Sequence, residues 1–306
     1  MLRGSTPASA YDRAVRVAVA TSAAVPPQFD DDRRLLDALL ARGAEAAAAV
    51  WDDPAVRWDE FDRVVIRSTW DYPRKHAAFL AWVEAVAPRL RNPAELVRWN
   101  SDKHHLADLT AGGVPVVPTT FVEPGGAVPS LAGEVVVKPA ISAGGRDTGR
   151  FGPATYDEAA ELIRRLQGEG RSAMVQPYMA SVDGSGETAL TFIAGRFSHA
   201  ARKGPVLRPD EVAPTRDDEI GGAEVMYDPD IVGPGTATAR EIEVGAQAIA
   251  YLRDRFGDDP LYARVDLVAG PDGDPLVLEL EAVEPNLFLR HSPDAADRLA
   301  AAILAS

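Results

Sequence analysis

The chain has 306 residues, 46% of them hydrophobic, with 32 basic against 46 acidic side chains and a formal charge of -14. That length and apolar content suit two or three folded lobes and exclude a disordered polymer, while the acidic balance excludes a nucleic-acid partner, which needs basic surface. The absence of cysteine excludes disulfides, thiolate metal sites and cysteine nucleophiles, so any metal must be held by oxygen or imidazole.

Residues 1–12 are small and polar without periodicity and are expected to form a flexible leader. They lack a signal-peptide core and no apolar run reaches a bilayer span, so a cytoplasmic protein without a membrane partner is expected. Residues 15–20 form a β-branched apolar run, and Asp30 then caps a helix carrying Leu35, Leu36, Leu39 and Leu40 that stops at Gly43. Apolar runs at 46–51 and 64–66 follow, and Phe79, Leu80, Trp82, Val83 and Val86 recur at helical spacing after Pro73. Strands and helices alternating over residues 13–99 predict an open α/β lobe whose strand ends face a ligand cleft.

Ser101 is expected to cap a helix over 102–110 that ends at Gly112-Gly113, before a proline-rich extended segment at 114–122. A central lobe over 100–180 then carries a strand at 134–139, a flexible loop at 142–149, a helix opened by a Thr155-to-Glu158 capping box and reaching Gln167, and a strand at 173–178. The last lobe, 181–306, starts with a hairpin of 187–193 and 197–203 around Ala194-Gly195. A Pro-, Gly- and Asp-rich stretch at 204–235 reads as a lid or an unstructured segment; a helix over 237–256, a second hairpin and a helix over 294–304 complete the chain.

In that second hairpin Asp272-Gly273 signals a two-residue type I′ turn. Counting outward sets Pro271 against Asp274, Val268 against Val277, Asp266 against Glu279 and Arg264 against Glu281, so four ionisable side chains share one face. Val265, Leu267, Leu276, Leu278 and Leu280 take the other face, which is then the core side, leaving the charged face to a cleft. Two carboxylates opposite each other on a sheet repel, so Asp266 against Glu279 calls for a cation. Mg2+ suits carboxylate oxygens and keeps positions for phosphate oxygens, making Asp266, Glu279 and Glu281 a candidate metal site for a nucleoside triphosphate. A solvated sheet face balanced by lysines is the other reading.

Lys138 ends the run Val135-Val136-Val137 just before Pro139 and the loop Ser142-Ala143-Gly144-Gly145-Arg146. A lysine there reaches phosphate, and Gly144 and Gly145 let backbone N–H groups approach phosphate oxygens; a solvated strand end followed by an ordinary turn fits the same residues. Lys103, near a helix start, is equally open, and His199 is a cleft residue or a polar strand position. Markers of serine hydrolases, P-loop proteins and zincins are missing from the sequence.

Arg67, Trp70, Asp71 and Tyr72 follow the strand at 64–66, where ligands of an open α/β lobe collect. Arg67 suits a carboxylate, Asp71 an ammonium group and the two rings a pocket wall, which together fit an amino-acid-like substrate. Alternatively Arg67 pairs with Asp71 and Trp70 packs under the next helix, which moves substrate contacts toward Arg290 and the 204–235 stretch.

Taken in order, Lys103, Val137-Lys138-Pro139 with its glycine loop, Val175-Gln176-Pro177-Tyr178, Lys203, Arg264-Val265-Asp266 and Leu278-Glu279-Leu280-Glu281 resemble the ATP-grasp superfamily. The resemblance runs from Asn92 onward, and the first lobe resembles the pre-ATP-grasp domain of glutathione synthetases and D-alanine–D-alanine ligases. Ser68-Thr69-Trp70-Asp71-Tyr72 and Glu281-Ala282-Val283-Glu284-Pro285-Asn286-Leu287-Phe288-Leu289 are similar, more narrowly, to the group containing the O-ureido-serine cyclo-ligases of cycloserine biosynthesis.

The resemblance implies an ATP-dependent ligase that phosphorylates a small-molecule carboxylate and lets an amine displace phosphate, releasing ADP. It implies that Lys103 and Lys138 bind ATP phosphates, that Gln176, Pro177 and Tyr178 present backbone groups to adenine, and that Asp183 or Glu187 contacts ribose. Lys203 is then near the γ-phosphate, Asp266 and Glu279 hold Mg2+ (with Mn2+ as a substitute), and Arg264 steadies charge at the acyl centre. Many members carry Glu-x-Asn where this chain has Glu279-Leu280-Glu281, so Glu281 is either a charged metal ligand or a partner of Arg264. An acid kinase that stops at the acyl phosphate and a non-catalytic ATP-binding regulator are the alternatives, and a homo-oligomer stays open.

Overall fold

The computed structural model describes residues 13–25, 29–207 and 228–306; the leader and most of the 204–235 stretch lie outside the described residues. The first sheet is parallel. It is built from β1 (Arg16–Thr21), β2 (Glu45–Val50), β3 (Arg63–Ser68) and β4 (Leu90–Arg91) in the order β2-β1-β3-β4, with α1 (Asp30–Ala41) and α2 (His76–Val86) as crossovers. Alternation along β1 sends Val17 and Val19 to one core with Leu35 and Leu39 of α1, and Ala18 and Ala20 to another with Phe79 and Val83 of α2. Helices on both faces bury both sets, which is why the strands read as continuous apolar runs.

Asp30 is the first helical residue rather than the cap, which is Phe29, and its carboxylate pairs with Arg33 and Arg34 one turn on. Two short helices follow, α3 (Ala94–Asn100), which the sequence pattern had not suggested, and α4 (His105–Ala111). The helix expected from 102 starts later because the Asp102 carboxylate accepts from the His104 backbone N–H at 3.0 Å, favouring a turn.

The central sheet, ordered β5-β8-β6-β7, is antiparallel: β5 (Thr120–Val122), β6 (Val135–Pro139), β7 (Gly149–Phe151) and β8 (Ala173–Pro177). Helix α5 (Tyr156–Gly168) covers one face through Ala159, Leu162, Ile163 and Leu166. Thr155 precedes α5 without capping it; its hydroxyl turns back to accept from Gly152 N–H.

After the short α6 (Ser181–Ser185), the third sheet joins β9 (Glu187–Ile193), β10 (Arg196–Lys203), β11 (Val232–Gly235), β12 (Tyr262–Ala269) and β13 (Pro275–Glu281) in the order β11-β10-β9-β12-β13. The β9–β10 turn has positive φ at both Ala194 and Gly195, the geometry a two-residue hairpin requires. The end of the expected lid is thus an ordered edge strand, β11, paired with β10. Helix α7 (Ala239–Phe256) lies against this sheet, with Thr238 and Glu241 forming a reciprocal capping box worth about 1 kcal/mol. The final helix, α8 (Ala295–Ala305), buries Leu299, Ala300 and Ile303 in the same core as β1 and α1. No described helix is long and apolar enough to cross a membrane.

The β12–β13 hairpin departs from the expected register near its turn. Only Gly273 of the Asp272-Gly273 pair has positive φ, and Gly270 C=O accepts from Gly273 N–H while Gly270 N–H donates to Asp274 C=O. This is a longer loop closed by a left-handed glycine, with Pro271 where its fixed φ starts the turn. A bulge then places Leu267 opposite Val277 and Val268 opposite Leu276, whereas Asp266 opposite Glu279 and Arg264 opposite Glu281 hold as expected. The extra residue is Leu278, which leaves the core side and lines the cleft; Leu276 joins a small cluster with Val117, Val182 and Val268 rather than the main core.

Candidate active site

The three sheets enclose a cavity of about 520 Å3. Lys138 at the end of β6 donates to Glu279 Oε1 of β13 at 2.5 Å. Lys203 at the end of β10 donates to Glu187 Oε2 of β9 at 2.5 Å and to Asp266 Oδ2 of β12 at 2.8 Å. Arg264 meets Asp266 with both Nε and a terminal nitrogen, at 2.8 and 2.9 Å, and also contacts Glu281 and the Asn286 carbonyl. Lys103 donates to the Ser142 carbonyl at 3.0 Å and to its hydroxyl at 3.2 Å, fastening the glycine loop.

The charges of this site hold one another. Burial pushes the Glu279 carboxyl up, but Lys138, Lys103 and Lys203 outweigh it and hold the group well below the usual range. Burial likewise opposes ionisation of Asp266, and Arg264 and Lys203 reverse it. Lys203 is pushed down by burial and carried well above the ordinary lysine range by Asp266 and Glu187. Glu281 stays raised, because burial and the repulsion of Asp266 and Glu279 exceed the pull of Arg264.

Oxygen atoms of Asp266, Glu279 and Glu281 all lie within 4.8 Å of one another, an all-carboxylate set that fits a hard divalent cation. Glu281 occupies both arrangements considered for it, at the cluster and against Arg264. Ser142, Gly144 and Gly145 line the cavity, as do Gln176, Pro177, Tyr178 and Glu187. Asp183 does not; its carboxylate is held by Arg150 and the Tyr178 hydroxyl, so of these two acids only Glu187 lines the cavity.

The substrate residues expected from the first lobe divide. Trp70 and Tyr72 line the cavity, whereas Arg67 and Asp71 lie behind its wall. Arg67 is 2% exposed, donates to Pro285 C=O at 2.6 Å, lies over the Tyr262 ring and sits 4.0 Å from both Asp31 and Asp32. Asp71 accepts from Trp51 Nε1 and Lys75 Nζ. Neither lines the cavity, nor do they pair with each other; both are engaged with groups of the wall behind it. Trp70 packs against Phe29, Val25 and Ala143, and its indole donates to the Glu284 backbone carbonyl. Arg290 is also outside the cavity, donating to Val232 C=O. His199 donates to Leu287 C=O, a polar strand position.

The cavity also receives Asn100, His105, Glu284 and Asn286, which the sequence pattern did not single out. Glu284 and Asn286 sat inside a quoted motif, and the available signal was their position just beyond the acidic strand. Burial lowers His105 to about 4, so its ring is neutral.

Residues 17–92 match the family model for the N-terminal domain of D-cycloserine synthetase DcsG. The chain is 39% identical over 301 residues to the cycloserine biosynthesis protein DcsG of Streptomyces lavendulae, covering 94% of this chain and 97% of the relative. It superposes on the crystal structure of D-cycloserine synthetase DcsG with a TM-score of 0.83 and 38% identity, over 94% of this chain and 98% of that one. The fold is also that of a D-alanine–D-alanine ligase from Bacillus anthracis solved with ATP, at a TM-score of 0.65 and 14% identity, over 95% and 96% of the two chains. The chain therefore belongs to the DcsG family of ATP-grasp ligases, ATP-dependent enzymes of small-molecule biosynthesis that form C–N bonds.

Proposed function

We propose that this enzyme closes O-ureido-serine, or a near analogue, into a cycloserine-type ring. ATP phosphorylates the substrate carboxylate, ADP leaves, and the nitrogen bonded to oxygen in the same molecule attacks the acyl phosphate and loses its proton, closing a five-membered ring with loss of phosphate; that ring nitrogen still carries the carbamoyl group, which water removes as carbon dioxide and ammonia. The observation that carries this reading is that identity to DcsG runs through the first lobe, whose matched segment supplies Trp70 and Tyr72 to the cavity wall. Substrate choice, beyond the shared nucleotide chemistry, resides in that wall.

In this reading Lys103 and Lys138 hold ATP phosphates under the Ser142-to-Gly145 loop, Gln176 to Tyr178 border adenine, and Glu187 meets ribose. Asp266, Glu279 and Glu281 hold Mg2+, or Mn2+ in its place, which when bound neutralises developing charge on the phosphoryl oxygens. Lys203 and Arg264, fixed by their carboxylate partners, present preorganised positive charge at the phosphoryl group and the acyl oxygen, and need no reorganisation as charge grows there. The enzyme acts in the cytoplasm on small molecules, with residues 13–99 serving as a substrate lobe and 100–306 as the nucleotide clamp. Incubation with ATP, Mg2+ and O-ureido-serine, read by ADP release and product mass, tests this. Ring product without added amine supports it; ADP release with an added amine as obligatory co-substrate overturns intramolecular closure.

A further inference from the structure

Every other acid facing or flooring the cavity is paired with a cation: Glu279 with Lys138, Glu187 and Asp266 with Lys203, and Asp266 and Glu281 with Arg264. Glu284 is the exception, for among the described residues it enters no ion pair although it lines the same cavity. Its surroundings are built rather than loose. Trp70 Nε1 donates to its backbone carbonyl at 3.0 Å, and Trp70 is itself set edge-on against Phe29 at 4.6 Å. Burial, and after it the neighbouring Glu281, push its carboxyl up to about 8, with Lys103 and Arg264 pulling the other way. A carboxylate in that situation gains most from a cation delivered beside it.

Resting on the ring-closure reading, the reacting nitrogen of the substrate is the one bonded to oxygen, so the α-amino group takes no part in bond formation. It enters protonated and needs a counter-charge once the cavity has excluded water. We propose that Glu284 is a specificity residue that holds the α-ammonium group of an amino-acid substrate, with Trp70 positioning it from the backbone. Trp70 and Tyr72 line the same cavity. The amino acid is thereby held by two ends, its carboxylate toward Arg264 and its ammonium toward Glu284, which fixes one orientation for closure.

The test compares O-ureido-serine with 3-(ureidooxy)propanoate, the same molecule without its α-amino group, by ADP release. Wild type should prefer the amino compound in kcat/KM by roughly a hundredfold, the scale of a buried charge-assisted contact. Glu284→Gln should reduce that preference to a few fold, through KM for the amino compound and without change in KM for ATP, and Glu284→Asp should restore much of it. If Glu284→Gln is too slow to assay, calorimetric binding of the two acids to the ADP-loaded variant gives the same ratio. An undiminished preference in Glu284→Gln, or none in wild type, overturns this assignment alone. Failure of wild type to turn over O-ureido-serine overturns the ring-closure reading and this inference together.

Discussion

Lys138 Nζ and Glu279 Oε1 lie 2.5 Å apart, so a strand of the central sheet is tied directly to the acidic hairpin of the third sheet across the cavity. In the proposed reading the pair couples phosphate binding to the metal carboxylates, because the Lys138 charge that would grip phosphate also sets the ionisation of Glu279. Lys138→Met is expected to weaken ATP binding at least tenfold by calorimetry and to lower turnover on the order of a hundredfold. A folded variant with wild-type affinity and turnover would show that Lys138 serves only as a structural ion pair.

Asp266→Asn and Glu279→Gln each keep the shape of the side chain and remove its charge. Turnover at saturating Mg2+ should fall on the order of a hundredfold or more in both, with the fold intact by circular dichroism. Activity near wild type in both would remove the acidic hairpin from the chemistry.

Arg67→Ala leaves Asp31 and Asp32 buried without their cation and removes the donor to Pro285 C=O. A stability loss of about 3–5 kcal/mol by denaturant titration is expected. Asp71→Ala, which frees Trp51 Nε1 and Lys75, should cost less. In both variants the ratio of kcat/KM between competing substrates should stay within a few fold of wild type. A selective loss for one substrate at unchanged stability would return these residues to the binding site.

Asp32 sits beside Arg67 and the Ser68 hydroxyl, and burial, opposed by Arg67, raises its carboxyl from 3.8 to about 6. The folded chain therefore binds this proton more tightly than the unfolded chain. The stabilisation is complete below pH about 4 and is lost as pH rises through about 6. Relative to Asp32→Asn, wild type should lose about 2 kcal/mol of stability between pH 4 and pH 7. Parallel stability curves for the two proteins would refute this.

The acidic face was legible because charges at alternate positions on two strands have no place in a core, and register follows from the turn between them. The bulge at Leu278 was not, since an extra leucine carries no chemical marker and its effect depends on the partner strand. Lys138 and the glycine loop announced themselves through neighbours in sequence, as did the Ala194-Gly195 hairpin. The burial of Arg67 was not legible for the opposite reason: its partners, Pro285 and the Asp31-Asp32 pair, are remote in the chain. Asn92 and Asn100 were invisible for the same cause. Asn92 donates to Tyr262 and Ala282 carbonyls and accepts from Leu261 N–H, and Asn100 bonds Leu280 and Ala282, clamping the end of β13 to the first lobe.

The packing of α8 against β1 and α1 bears on how the chain matures as it is made. A ribosome delivers the first sheet and α1 early, but the core they share stays incomplete until the residues of α8 emerge after every other described element. During that interval the side of this core that Leu299, Ala300 and Ile303 complete is open to solvent and to any protein that binds nascent apolar segments. A nascent chain arrested before Ala295 should therefore have a protease-sensitive first lobe, and release of the full chain should protect it in a single late step.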